Sequence, residues 1–490
     1  MAASLPILVV IVPLLAAPLV GLLPPGRWPW RLATLVAWTL FVLAARLFVQ
    51  VLHHGVIDYA IGGWAPPWGI AYRIDALNAL VLLLVSGITA LVLPFARLSV
   101  EQEIPRDRGP LFYAALLLLV AGLLGITATG DAFNAFVFLE ISALSSYALI
   151  AMGRDRRALT AAFRYLIMGT LGATFYLIGI GLLYALTGTL NMQDLARLLP
   201  AIADTRTAHT AVAFVVVGLS LKLALFPLHL WLPNAYSYAP SAVSALLAAT
   251  ATKVMVYLLA RFVFGVVGVE FSFGQLQLNQ ILLVLAVIAI LSASLVAIDQ
   301  SDLKRLLAYS SVAQLGYMVL GMALGSVDGL AASFLHLFNH ALMKGALFMA
   351  AGAIAWRIGS TRIADLSGIG RRMPWTMAAF LIAGLSLVGM PLTVGFVSKW
   401  VLLQAVVERG WWPLLAVVLV GSLLAMVYLW RVVEVAWFKP NESGLREEAP
   451  LSMLLPIWAL VLANLYFGID TRLSFGSAER AAALLFGATP

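Results

Sequence analysis

The sequence predicts an all-α integral membrane protein. It has about fourteen transmembrane helices, two inverted five-helix repeats, and broken helices seven and twelve. Three observations predict this. The chain is 63% hydrophobic and 11% charged, where soluble domains are about 45–50% apolar and about 25% charged. Apolar stretches of about 20 residues, the length a helix needs to cross a bilayer, recur from end to end. The basic residues between those stretches alternate between rich and poor loops, as the positive-inside rule requires.

In order, the spans are 5–23, 31–52, 74–97, 111–128, 131–152, 161–187 and 208–231, then 241–267, 279–297, 304–325, 329–356, 375–405, 411–437 and 451–469. The stretch from Met1 to Leu23 lacks a basic leader and reads as a first span, not a cleaved signal peptide. Gly62 to Gly69, with Trp64 and Trp68, is a turn-rich loop with interfacial tryptophans. Asp131 is a helix-capping residue at the start of span five. Pro227 bends span seven, and Gly389, Pro391 and Gly395 interrupt span twelve. After Thr471 a short tail follows, with an interfacial stretch from Ala478 to Phe486.

Loops after odd-numbered spans carry Arg27, Arg31, Arg97, Arg106, Arg108, Arg154, Arg156, Arg157, Arg164, Lys304 and Arg305. They continue with Arg357, Arg362, Arg371, Arg372, Arg431, Lys439 and Arg446, which makes 18 basic residues. Loops after even-numbered spans carry five: Arg73, Arg197, Arg206, Arg261 and Arg409. The bias places the odd-to-even loops in the cytoplasm and both termini outside. It also explains the net charge of +8 without a nucleic-acid partner. The predicted location is the inner (plasma) membrane of a bacterial or archaeal-type cell.

Spans four to eight and nine to thirteen form two sets of five. An odd number per set forces opposite orientations in the membrane. The fourth member of each set carries a proline and a lysine, as expected for inverted repeats around a midplane path. The predicted blocks are 1–110 for spans one to three, 111–267 for the first repeat, 279–438 for the second, and 439–490 for span fourteen and the tail.

Chemistry concentrates inside the spans. Of the six lysines, Lys222, Lys253, Lys344 and Lys399 interrupt apolar runs, and Glu140 does the same. Each such charge costs roughly 2.5–3.5 kcal/mol on insertion scales and is functional by default. Glu140 could alternatively be a neutral carboxyl bonded to a serine, and Lys399, nearer its span's end, could snorkel to the interface. His229 reads equally as a proton-uptake group or an interfacial histidine. His336, His340 and Lys344 recur at i, i+4 and i+8, so they share one helix face. Two histidines at i, i+4 raise a metal site, but neither is followed by the glutamate of a HExxH motif. A polar proton wire fits better, with satisfied core histidines as the alternative for His336. The absence of cysteine excludes cysteine-ligated iron–sulfur clusters and disulfides. No dinucleotide fingerprint, phosphate loop or metal motif supports a catalytic centre, and no cofactor is expected.

Four segments carry a family resemblance: Phe136-Val137-Phe138-Leu139-Glu140; Lys222 with Phe226-Pro227-Leu228-His229-Leu230-Trp231-Leu232-Pro233; Asp302 to Ser311; and Asn339-His340-Ala341-Leu342-Met343-Lys344-Gly345. In these, over nearly its whole length, the chain resembles the antiporter-like proton-translocating subunits shared by Mrp cation/proton antiporters, respiratory complex I and membrane-bound hydrogenases. The resemblance implies that Glu140 and Lys222 form a coupled pair, Lys253 relays, Lys344 is the central lysine, and Lys399 ends the path. His336 and His340 extend the axis. A lysine at 399 looks like the D-type subunit of Mrp antiporters, whereas one complex I subunit has glutamate there. The compact length lacks the extra lateral helix of the longest complex I subunit and the fused C-terminal domain of the large Mrp subunit.

The expected function is therefore proton conduction within a multisubunit monovalent cation/proton antiporter, with Na+ or K+ as the exchanged ion. The alternative is a proton-pumping subunit of a redox complex, where the chain would count as part of a translocase. Both require other membrane subunits. A membrane enzyme with its own centre lacks a motif, and a structural scaffold would not keep all five charged positions.

Overall fold

The computed structural model describes residues 4–440 and 447–487, so Arg446 lies outside them. In chain order the helices are α1 (Leu5–Gly21), α2 (Arg27–His54), α3 (Ala76–Glu103), α4 (Gly109–Ala128), α5 (Ala132–Ala151), α6 (Arg156–Thr187) and α7 (Met192–Leu198). Next are α8 (Arg206–Leu223), α9 (Trp231–Tyr238), α10 (Ser241–Ala249), α11 (Ala251–Ala260), α12 (Leu278–Ile298), α13 (Leu303–Ala323) and α14 (Val327–Ile358). The last are α15 (Ile369–Arg372), α16 (Pro374–Val388), α17 (Val394–Glu408), α18 (Trp412–Val433), α19 (Leu451–Ile469) and α20 (Arg472–Leu485). Among the described residues, 12 helical stretches are long and apolar enough to cross a membrane. The shorter α1 and the broken α16–α17 pair bring the spans to fourteen. The loop between spans two and three holds a small antiparallel hairpin, β1 (Ile57–Ala60) with β2 (Ala71–Ile74).

Loop contacts establish the alternation. Loops after odd spans touch one another: Gln102 reaches the Trp356 carbonyl, Arg157 the Tyr238 hydroxyl, Lys304 the Ser241 hydroxyl, and Arg372 pairs with Glu447. Loops after even spans do the same on the opposite face, where Thr129 bridges Tyr72 and Arg409 reaches the Gly325 carbonyl. These are the arginine-rich and arginine-poor faces below.

The inversion is visible in one repeated motif. Asp131 caps α5 by accepting from the Asn134 amide at 2.7 Å, and it pairs as a single antiparallel bridge with Asn191 beyond α6. Asp302 caps α13 by accepting from the Arg305 amide at 3.0 Å, and it pairs in the same way with Arg362 beyond α14. The enclosed helices, α6 and α14, each have 32 residues and end on a left-handed glycine, Gly188 or Gly359. The first bridge lies on the arginine-poor face and the second on the arginine-rich face. Identical local chemistry on opposite faces is what an inverted repeat means.

Without a hydrophobic drive between spans, close approach of small residues supplies the packing. A Cβ on Gly218 of α8 would stand 2.6 Å from the Gly172 carbonyl oxygen of α6. Gly218→Leu should therefore cost about 1–3 kcal/mol through overpacking and push α8 off α6. Thermal unfolding in detergent checks this; an unchanged midpoint would show that the two backbones do not need the contact.

Candidate proton path

The first repeat builds its site at a helix end. α8 stops at Leu223, because Ala224 turns left-handed (φ 60). Pro227 therefore sits inside the connecting turn, and the break precedes it. This corrects the expected bend at the proline. The ending leaves backbone carbonyls without helical partners. The Trp231 indole, returning on α9, donates to the Leu221 carbonyl at 3.0 Å and stacks on Tyr165 at 3.8 Å. Lys222 occupies this last turn, where a cation is favoured by the helix dipole. Its ammonium donates to Glu140 Oε1 on α5 at 3.2 Å. Lys222 is 5% exposed, whereas the Glu140 side chain is 26% exposed. The partner of Glu140 is thus the lysine. The nearby hydroxyls of Ser142, Ser145 and Ser146 are spent on backbone carbonyls.

Span eight is broken as well, which the sequence did not announce. Thr250 leaves helical geometry (φ −124, ψ −56) between α10 and α11. The Lys253 ammonium reaches back across this break to the Ala248 carbonyl and to the Thr252 hydroxyl at 3.3 Å. Beside Lys222 lies a cavity of about 20 Å³ that is also lined by Ser142, Ser146 and Thr252, the residue next to Lys253 in sequence. That is room for one water with several polar partners.

The second repeat continues the row. Lys344 on α14 is fully buried and donates to the Leu307 carbonyl at 2.8 Å and the Ser310 hydroxyl at 2.5 Å, both on α13. The helix that carries Lys253, α11, packs against both α13 and α14. His336 and His340 stack in parallel at 5.9 Å. His336 is held at both ring nitrogens, by Ser398 at 2.8 Å and Gln314 at 2.9 Å, and so offers no free nitrogen to a metal. Both ring nitrogens of His340 lack a hydrogen-bond partner among the described residues.

At the second break, Gly389 (φ 101) and Leu392 (φ 67) separate α16 from α17, with Pro391 between them. Lys399 does not snorkel. It is 5% exposed and points back into the break, donating to the Leu387 carbonyl at 3.0 Å, the Val388 carbonyl at 2.9 Å and the Ser422 hydroxyl at 2.9 Å. The Tyr317 ring lies 5.0 Å from its nitrogen. Thus Lys222 sits on the last turn before one break, while Lys253 and Lys399 bind the carbonyls that the other two leave free.

His229 lies in the turn after the first break, buried between Phe226 and Tyr309. Two residues escaped the sequence reading. Lys304 looked like a loop charge, yet it is 5% exposed and donates to the Ala239 carbonyl and the Ser241 hydroxyl. Glu103 accepts from the Ser241 amide at 2.8 Å and the Ser99 hydroxyl at 2.7 Å. Lys304 thus ties the second repeat to the first at the arginine-rich face, and Glu103 ties α3 to the same point.

Comparison with known proteins decides the family. A model described as "NADH:quinone oxidoreductase/Mrp antiporter, TM" matches residues 129–425. The chain belongs to that family. It is 46% identical to "NADH-quinone oxidoreductase subunit N" of Desulforudis audaxviator, with 96% of each chain covered. It is 30% identical to the D-type subunit of the Na(+)/H(+) antiporter of Alkalihalophilus pseudofirmus, covering 88% of this chain and 86% of the relative. Among solved structures, a chain of an archaeal membrane-bound sulfane sulfur reductase matches with a TM-score of 0.91 at 32% identity, over 99% of this chain and 98% of that one. A chain of the Mrp complex from Dietzia sp. matches with a TM-score of 0.89 at 28% identity, over 99% and 97%. This chain is thus an antiporter-like membrane subunit, and its relatives work in multisubunit membrane complexes.

Proposed function

We propose that the chain conducts protons in such a complex, through Glu140, Lys222, Lys253, His336, His340, Lys344 and Lys399. One observation carries the reading. Besides Lys304 at the arginine-rich face, four lysines within the spans are buried to 5% exposure or less, and three of these four bind carbonyls or hydroxyls only. A buried ammonium held by neutral acceptors keeps a large desolvation cost, and lysine readily exchanges its proton under such conditions. Packing alone would favour apolar side chains at these positions.

The blocks 1–110, 111–267, 279–438 and 439–490 are the working units. The arginine-rich face is cytoplasmic, which puts both termini outside. Protons enter from the cytoplasm, pass Lys253 and Lys344 with intervening water, and leave near Lys399. The charge state of the Glu140–Lys222 pair gates them.

The assembly is a cation/proton antiporter of the Mrp type, in which this chain takes the place of the D-type subunit and Na+ or K+ is exchanged. A second reading, a redox-driven pump, is favoured by the higher identity to the oxidoreductase subunit. Co-purifying subunits separate them: iron–sulfur proteins support the second, and small membrane subunits alone support the first.

Lys344→Ala tests the path common to both. In proteoliposomes holding the assembled complex, proton uptake should fall to the leak of protein-free vesicles. Normal uptake by a fully assembled variant would remove Lys344 from the path.

A further inference from the structure

The arginine-poor face holds a vestibule of about 370 Å³ whose polar lining comes from Asp58, Arg73, Asp75, Thr129, Asn191 and Arg261, among others. Its floor is a buried network. The Arg261 guanidinium pairs with Asp75 at 2.7 Å and donates to Asn78 Oδ1 at 2.8 Å. The Asn78 amide in turn donates to the Tyr257 hydroxyl at 2.8 Å and to the Thr127 carbonyl at 2.6 Å, and Tyr257 donates to the same carbonyl at 3.1 Å. Asn78, Tyr257 and Thr127 are each 2% exposed or less.

Lys253, Tyr257 and Arg261 recur at i, i+4 and i+8 along α11 and the wider turn that continues it, so they lie on one helix face. This ladder runs from the span-eight lysine to the vestibule floor. It is interrupted at one point only: the Lys253 ammonium turns the other way, onto the Ala248 carbonyl. Packing does not require such a network, since burying a charge pair is often no better than apolar filling.

We propose that this ladder is a second proton port, through which the first repeat opens to the arginine-poor face, and that Arg261, Asp75, Asn78 and Tyr257 form its plug. The structure holds the port closed. When Lys253 leaves Ala248 and turns toward Tyr257, and Arg261 moves off Asn78 with its Asp75 partner to admit vestibule water, the Tyr257 hydroxyl takes the lysine's proton while releasing its own to that water. Arg261 stays neutralised by Asp75, so the plug does not repel a proton relayed through the Tyr257 hydroxyl. A metal cation would have to displace the guanidinium, and the port therefore takes protons and not Na+ or K+.

The inference rests on the proton-path reading, and the experiment has an arm independent of it. The chain contains no cysteine, so single cysteines report access. Gln193→Cys lies exposed in the vestibule and Tyr257→Cys behind the plug. The probe is a membrane-impermeant anionic thiol reagent, which the guanidinium of Arg261 does not repel, applied to the assembled complex in vesicles of either orientation. Gln193→Cys should react only from the arginine-poor face. Tyr257→Cys should be protected, and should become reactive from that face when combined with Asp75→Asn. Asparagine keeps the cap that Asp75 provides to α3 while removing the charge from Arg261. In a second arm, Tyr257→Phe keeps the ring and should lower proton uptake severalfold. The proposal is overturned by a Tyr257→Cys that stays protected beside Asp75→Asn, by labelling from the opposite face, or by unchanged uptake in Tyr257→Phe. Normal uptake in Lys344→Ala is the separate result that would sink the underlying path.

Discussion

Lys222→Ala should lose both proton uptake and stability, and a double variant should separate the two losses. Removing the ammonium leaves the Glu140 carboxylate without its counter-charge, and breaking one side of a buried pair costs about 3–5 kcal/mol; the exposed quarter of the carboxylate lies within a span and gains no water there. Glu140→Gln strands the lysine instead, yet Lys222 still sits in the last turn of α8, where the helix dipole favours its charge. Glu140→Gln should therefore be the milder single change. Combining Glu140→Gln with Lys222→Met replaces the pair by neutral groups of similar volume and should restore much of the stability. It should not restore proton uptake. Thermal unfolding and vesicle proton uptake, measured on the two single variants and the double, decide this. If uptake returns with stability in the double variant, the pair is a structural fastening and does not gate.

That separation matters because the same residues were legible in the sequence for a purely energetic reason. Five charges inside apolar runs stand out by insertion cost alone, and hydropathy with loop charge suffices to count fourteen spans and pair them into repeats. Gly389 and Pro391 mark the second break, because glycine readily takes the left-handed turn that ends a helix and proline lacks a backbone donor. The break at Thr250 left no such mark: Ala248-Ala249-Thr250-Ala251-Thr252 contains neither glycine nor proline, and only packing makes the helix yield there. Lys304 looked like an ordinary loop charge and Glu103 gave no signal, since their bonds to Ala239 and Ser241 exist only once α9 and α10 fold beside them. Gln314, Ser398 and Ser422 carry no signal of their own. They are ordinary polar residues that acquire roles only when α13, α17 and α18 bring them to His336 and Lys399. Composition shows that charge is buried, and the fold shows what accepts its hydrogen bonds.

Those acceptors make Lys399 the sharper test of mechanism. Its ammonium meets three acceptors, two of them carbonyls released by the end of α16. Lys399→Met would strand both carbonyls, at about 1–3 kcal/mol for each buried group left unpaired, and should weaken assembly as well as uptake. Lys399→Glu should fare worse, because an ionised carboxylate only accepts and would face oxygen atoms on every side. A glutamate at this position therefore requires a differently built break. Lys399→Arg is the decisive variant. It keeps the charge and the donors, so the break should hold and the complex should assemble. A guanidinium does not give up its proton in a protein, so uptake should still be lost. Assembly is read from subunit stoichiometry and conduction from vesicle uptake. Lys399→Arg with normal uptake would mean that Lys399 only pins the two half-helices together, and that protons leave the second repeat by the His336–Ser398 contact or another group.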